Sequence, residues 1–313
     1  VVSITVIGEA VLDVVKTPSG ETKELPGGSP ANTALALTRL GVQTHYRGRL
    51  SDDSNGQLLF DHFKSQGVDM SAVIRVSEPS SVITAVIAAD GAPTYQANLK
   101  GASDYGWQPS ELSKPLPSDC LAVNFGSLAT AIEPGASAIA NWVADLPEQV
   151  TRSYDPNIRP GLMNRTDEEV RLQVDYLVRQ SDFVKASDVD VQWLYPNLSV
   201  ADVANLWANQ GPDLVVITLG ENGAVAARPQ RSLMEVPPKV VTVADTIGAG
   251  DTFAAAVLRR VAQDQMLGER FEEWVSNDDS LLLGLHEAAV AAGITCSRNG
   301  ANPPTWQEVS AAL

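Results

Sequence analysis

Along the chain, short runs rich in β-branched and aromatic residues alternate with longer segments whose apolar positions recur at three- and four-residue spacing. The runs predict strands at residues 3–7, 44–49, 120–125, 151–155, 183–185 and 214–218. The longer segments predict helices at 30–40, 56–65, 135–143, 167–179, 200–209, 252–263 and 280–295. Parallel strands need a crossover between them, and a helix in each crossover covers the sheet. The alternation therefore predicts an α/β fold with a parallel sheet between two helical layers. Two segments break it. Residues 11–15 and 22–25 flank Pro18-Ser19-Gly20, and 82–88 and 94–99 flank Asp90-Gly91-Ala92-Pro93, so both read as β-hairpins. These four strands need a sheet of their own, which we expect as a small lid inserted at about 10–27 and 80–103 over one end of the main sheet. No internal repeat and no Pro/Gly/Ser linker divides the chain, so residues 1–313 read as a single domain carrying that insertion.

Composition narrows the function classes. The 313 residues are 44% hydrophobic and 19% charged, an ordinary globular balance. Lys and Arg number 22 against 38 Asp and Glu, a net charge of −16, which argues against a nucleic-acid surface because phosphate neutralisation needs clustered cations. A phosphorylated small molecule stays open, since backbone N–H groups can hold an anion without net positive charge. Cys120 and Cys296 are too few for a disulfide framework or zinc site, which fits a reducing cytoplasm. The opening residues 1–7 read as a strand and not as a signal peptide. The most apolar stretch, 281–296, carries His286 and Glu287 and falls short of the ~18 apolar residues a membrane span needs.

The candidate chemistry lies in two glycine-rich segments. Asp245-Thr246-Ile247-Gly248-Ala249-Gly250-Asp251 runs straight into a helix, where small residues let the backbone approach a ligand and the free first-turn amides face it. Asp251 is then either a helix N-cap or a base that takes the proton of a hydroxyl attacking a nucleotide's terminal phosphate. In the second case the amides of Gly248, Ala249 and Gly250 take up the developing charge. Leu25-Pro26-Gly27-Gly28-Ser29-Pro30-Ala31-Asn32 precedes a helix closed by Gly41, with Ser29 as the expected N-cap and Pro30 at the first helical position. Capping accounts for Ser29 and Pro30 but not for Gly27, Gly28 and Asn32 together, which could read the hydroxyls of a polar ligand.

These two segments, in this order and separation, resemble both signatures of the ribokinase-like (PfkB) carbohydrate kinases, and the resemblance covers essentially the whole chain. It implies the α/β core with a β lid, ATP as phosphoryl donor, Mg²⁺, and transfer to a primary hydroxyl of a sugar or nucleoside. The residue matching Asp251 is the family's catalytic base, and those matching Gly248, Ala249 and Gly250 form its anion hole. Further segments resemble the fructokinase branch. Gly8-Glu9-Ala10-Val11-Leu12-Asp13 implies a sugar grip by Asp13, a position that reads equally as a solvent-facing strand residue. Asp155-Pro156-Asn157-Ile158-Arg159 implies Arg159 near the sugar or its phosphate, and Gly101-Ala102-Ser103-Asp104 implies Asp104 closing on it from the lid.

On the nucleotide side, Thr218, Gly220 and Gly223 in Leu214 to Ala224 match the family's nucleotide loop. Lys185-Ala186-Ser187-Asp188 falls where ribokinases carry Asn-x-x-Glu. It implies Lys185 at ATP and Asp188, with Asp190 as the alternative, at the magnesium's water shell. Asp245, Ile247 and Gly300, the last in the segment 297–303, match the loops that hold a monovalent cation such as K⁺.

The leading expectation is an ATP-dependent kinase converting D-fructose to fructose 6-phosphate. Ribose, 2-keto-3-deoxygluconate or a nucleoside is the alternative acceptor, and a catalytically inactive nucleotide- and sugar-binding module is the alternative from a different class. A dinucleotide-dependent oxidoreductase is disfavoured because Gly8 stands alone after the first strand, with no Gly-x-Gly-x-x-Gly. Sugar and ATP are the expected partners, without nucleic acid or membrane. Open edges on an inserted sheet predict a homodimer through the lids.

Overall fold

A computed structural model of the chain describes residues 2–17, 19–87, 93–163 and 165–313. In chain order the first elements are β1 (Ser3–Ile7), β2 (Val11–Lys16), β3 (Thr22–Gly27), α1 (Ser29–Arg39), β4 (Gln43–Arg47), β5 (Arg49–Ser51) and α2 (Ser54–Ser65). Next come β6 (Ile74–Val76), β7 (Val82–Ile87), β8 (Pro93–Asn98), α3 (Pro109–Leu112), β9 (Cys120–Gly126), α4 (Gly135–Ala144), β10 (Thr151–Asp155) and α5 (Asp167–Arg179). The remainder comprises β11 (Phe183–Ser187), α6 (Asp188–Leu194), α7 (Val200–Ala208), β12 (Leu214–Thr218), β13 (Ala224–Ala227) and β14 (Met234–Val236). The last helices are α8 (Ala249–Gln263), α9 (Phe271–Ser276), α10 (Asp278–Cys296) and α11 (Trp306–Ala312).

The main sheet has the order β14-β13-β12-β11-β10-β9-β1-β4, parallel from β12 to β4. Its central strands β1, β11 and β12 carry apolar side chains on both faces because both faces are covered. Leu214 and Val216 point into one core, with Ile4, Val6 and the apolar sides of α1, α8 and α10. Val215 and Ile217, one residue out of step, point into the other with Val123, Phe125 and the apolar sides of α4, α5 and α7. The expected three-layer architecture is therefore present, and β13 and β14 extend it as antiparallel strands beyond β12. The expected strand at 44–49 divides at Gly48, whose backbone lies against the Tyr46 ring. A Cβ there would come within 2.6 Å of that ring, and after the break β5 pairs with β6 in a separate two-stranded sheet.

A second sheet, β3-β2-β7-β8, collects all four expected hairpin strands. The middle of the second expected turn, Asp90-Gly91-Ala92, and Pro18 of the first lie outside the described residues. Among the described residues, no helix is long and apolar enough to cross a membrane.

Candidate active site

Two helix N-termini meet where the parallel strands end. Gly28, at φ 101°, is the residue that caps α1, with no side-chain capping bond, so Ser29 is not the expected N-cap and begins the helix itself. Gly28 must be glycine because a Cβ would stand 2.6 Å from the Glu9 carbonyl oxygen. Likewise Gly248, in the left-handed region at φ 77°, caps α8, and Asp251 sits inside its first turn. Of the two readings open for Asp251, the N-cap is thereby excluded. Its carboxylate accepts from Ser29 Oγ at 2.6 Å on Oδ1 and from Asn32 Nδ2 at 3.1 Å on Oδ2.

Asp251 is only 7% exposed. Burial pushes its carboxyl above the ordinary aspartate range, against the Lys185 ammonium, the bonds from Ser29 and Asn32, and the Arg159 charge, all of which pull it down. Asn32 Oδ1 is buried without a partner among the described residues, an acceptor left over beside the carboxylate. The amides of Gly248, Gly250 and Asp251 donate to no acceptor among the described residues, whereas Ala249 N is turned to Thr246 O at 3.3 Å. Gly250 brings the turn close to Lys185, whose Nζ would lie 2.6 Å from a Cβ there.

Lys185, on β11, reaches that turn from a buried ion pair, with Nζ 2.6 Å from Asp155 Oδ2 on β10. Burial lowers the Lys185 pKa, but Asp155, Asp251 and Asp190 outweigh it and hold the ammonium above its ordinary value. Burial also pushes Asp155 up to about 6 despite its partner. The two shifts are compatible because one ammonium serves three carboxylates, so the pocket carries surplus negative charge. Asp155 Oδ1 has no partner among the described residues.

On the side of the second sheet, Asp13 of β2 lies over Gly27, where a Cβ would be 2.9 Å from its Oδ2. It is half-buried and not solvent-facing; burial pushes it up to about 6 while the Arg159 charge opposes. Asp13 thus lies against Gly27, the Arg159 charge acts on both Asp13 and Asp251, and Asn32 donates to Asp251. Asp104, expected to close on the sugar, stands where β2 and β7 begin. It is buried, and it accepts from Ala10 N at 2.9 Å, Ser81 Oγ at 2.6 Å and Ser103 Oγ at 3.3 Å.

A cavity of about 450 Å³ opens on the other side of the Gly250 turn. Thr218, Gly220 and Gly223 line it together with Ala249, Gly250 and apolar surface from Val241, Phe253, Ala289 and Ala292. The expected nucleotide residues are therefore assembled, except Lys185, which is not among its lining residues. A larger cavity of about 740 Å³, between residues 109–121 and 138–150, is lined by none of the candidate catalytic, sugar, nucleotide or cation residues.

Asp188 borders a neighbouring groove that shares Asn222 with the nucleotide-side cavity. One of its oxygens accepts from Val189 N at 2.9 Å. Asp190, its alternative, is buried and accepts from Ile158 N on one oxygen and from Ser187 N and Ser187 Oγ on the other, whereas Asp188 is the less engaged of the two and the better placed for a phosphate-bound magnesium's water shell. Asp245 clasps the remaining predicted loops by accepting from Ile247 N at 3.1 Å and Gly300 N at 2.9 Å. The carbonyls of Asp245, Ile247 and Gly300 accept no hydrogen bond among the described residues, a donor set that suits a monovalent cation.

Two residues of consequence were missed in the sequence. Ser29 was absorbed by a capping role that Gly28 fills. Glu9, at the crossing from β1 into the second sheet, is 1% exposed and accepts from Ala129 N at 3.0 Å; burial pushes its carboxyl up to about 7. The only signal for it was a carboxylate between a buried strand and an apolar one.

The family description "pfkB family carbohydrate kinase" matches residues 2–306. The chain is 34% identical over 267 residues to a fructokinase from Rhizobium leguminosarum bv. trifolii, spanning 84% of this chain and 81% of that one. Its fold is similar to that of a fructokinase from Xylella fastidiosa with bound ATP, at TM-score 0.88 and 23% identity over 99% and 97% of the two chains. It is also similar to a double mutant of the Vibrio cholerae O395 fructokinase in a form bound to fructose, ADP and potassium ion. That TM-score is 0.86 at 25% identity, over 100% and 98% of the chains.

Proposed function

The chain belongs to the pfkB family of carbohydrate kinases and is a sugar kinase, and we propose that it transfers the terminal phosphoryl group of ATP to the primary hydroxyl of D-fructose, giving fructose 6-phosphate. The observation that carries this reading is the placement of Asp251. It is a buried carboxylate, held by Ser29 and Asn32, in the first turn of a helix whose Gly248, Gly250 and Asp251 amides are free among the described residues. Asp251 takes the proton of the attacking hydroxyl while the Gly248, Gly250 and Asp251 amides and the Lys185 ammonium receive charge on the transferred group. Asp13, Asn32, Gly27, Gly28 and Arg159 hold the sugar; Asp104 acts by fixing the second sheet that covers them. Thr218, Gly220 and Gly223 border the nucleotide. Magnesium, when bound with the phosphates, supplies charge neutralisation, and Asp188 is the side chain that would meet its water shell. Asp245, Ile247 and Gly300 would hold a potassium ion, as the potassium-bound relative suggests.

Two free cysteines and this donor fit a cytoplasmic enzyme. The second sheet leaves β3 and β8 as open edges, with Leu25 and Val86 exposed, and we place a homodimer contact there. Light scattering at micromolar concentration should give twice the 33.2 kDa chain mass. The acceptor is tested by coupled ATP consumption with Mg²⁺ and K⁺ over fructose, ribose, 2-keto-3-deoxygluconate and adenosine. Fructose should give the highest kcat/KM. Preference for another acceptor would overturn the fructose assignment, and no turnover on any acceptor despite ATP binding would make the chain a binding module.

A further inference from the structure

The side chain of Ser29 has no task in its own helix. Gly28 caps α1, and the Ser29 hydroxyl donates to Asp251 Oδ1 at 2.6 Å, across 222 residues of sequence. Ser29 and Asn32 are three residues apart and share one face of the first turn of α1, so both donors reach α8 from the same side. Each carboxylate oxygen thereby receives one donor and keeps one lone pair free for a substrate proton. We propose that Ser29 is a positioning residue for the phosphoryl-transfer reaction, its hydroxyl orienting Asp251 and stabilising the carboxylate form that accepts the sugar's proton. The proposal rests on the reading of Asp251 as the base.

The other charges facing Asp251 are Lys185 of β11 and Arg159 after β10, both favouring the carboxylate, and Asp155 of β10, which disfavours it. Ser29→Ala leaves these in place and removes one bond to the ionised form alone. A base works when deprotonated, so losing a bond that favours deprotonation moves the acid limb of the rate profile to higher pH. A hydrogen bond to a charged group in a buried site corresponds to a shift of about one pH unit. The rate below the limb then falls about tenfold.

The experiment is the pH dependence of kcat/KM for the preferred sugar, measured for the wild type, S29A, S29T, S29C and D251N. The acid limb should move up by about one unit in S29A, move the same way by less in S29C, whose thiol is a weaker donor, and stay at the wild-type position in S29T. An unshifted limb in S29A, whatever its KM or melting temperature, overturns the proposal. If S29A does not fold, an unshifted limb in S29C overturns it instead. D251N separates the two claims. Near-normal turnover in D251N sinks the base assignment itself, whereas an inactive D251N with an unshifted S29A sinks only the role of Ser29.

Discussion

The two sides of the Gly250 turn are built from opposite materials. Toward the second sheet stand buried polar side chains, each fixed by others: Asp251 by Ser29 and Asn32, and Lys185 by Asp155. Toward β12 lies an open cavity of backbone, small residues and apolar surface, bordered by exposed Val240 and Val243. Low dielectric strengthens charge interactions on the first side and makes each broken pair costly. On the second, area and shape decide affinity, and a lost contact is shared among many. Substitutions on the polar side should therefore act on turnover and stability, and those on the apolar side on nucleotide affinity.

The sharpest contrast should come from Asp251→Asn, which keeps the shape of the carboxylate but replaces one of its two acceptor oxygens with a donor and cannot take a proton. Steady-state assays should show kcat reduced about a thousandfold. Lys185→Met leaves Asp155 buried without its cation and should lower unfolding free energy by about 3–5 kcal/mol in urea titrations, with the double variant Asp155→Asn/Lys185→Met recovering most of it. Glu9 adds a pH-dependent case. Its folded value of about 7 lies above the ordinary 4.5, so the folded state holds the proton more tightly than the unfolded chain. Stability from this group is full below pH 4.5 and is lost as pH rises through 7. Glu9→Gln should then gain about 3 kcal/mol over the wild type at pH 8 and nothing at pH 4. The smallest effect belongs to the apolar side. Ala289→Trp, filling part of the cavity, should raise KM for ATP about tenfold, or about 1.4 kcal/mol, with kcat unchanged.

Legibility in the sequence followed the same division between local pattern and long-range contact. β1, β9, β11 and β12 were readable because strands buried on both faces are written with apolar and β-branched runs. β13 escaped because Ala224–Ala227 is mostly alanine, which has weak strand preference. The 44–49 strand was overextended because nothing local shows that Gly48 lies on the Tyr46 ring. In the site, the glycine turns were visible as motifs, since close backbone approach demands small residues at fixed positions. The partners of Asp251 were not. The bond from Ser29 joins helices 222 residues apart, and a serine before a proline reads locally as a cap. The bonds of Asp104 were not visible either, because two of its donors, Ala10 N and Ser81 Oγ, lie 94 and 23 residues away.

The most direct test of the division between chemistry and binding is calorimetric titration of ATP into wild type and Asp251→Asn, with turnover measured on the same samples. The account predicts nucleotide Kd values within about threefold of each other while the variant's turnover is lost. Turnover retained by the variant, or nucleotide binding lost together with turnover, would contradict it.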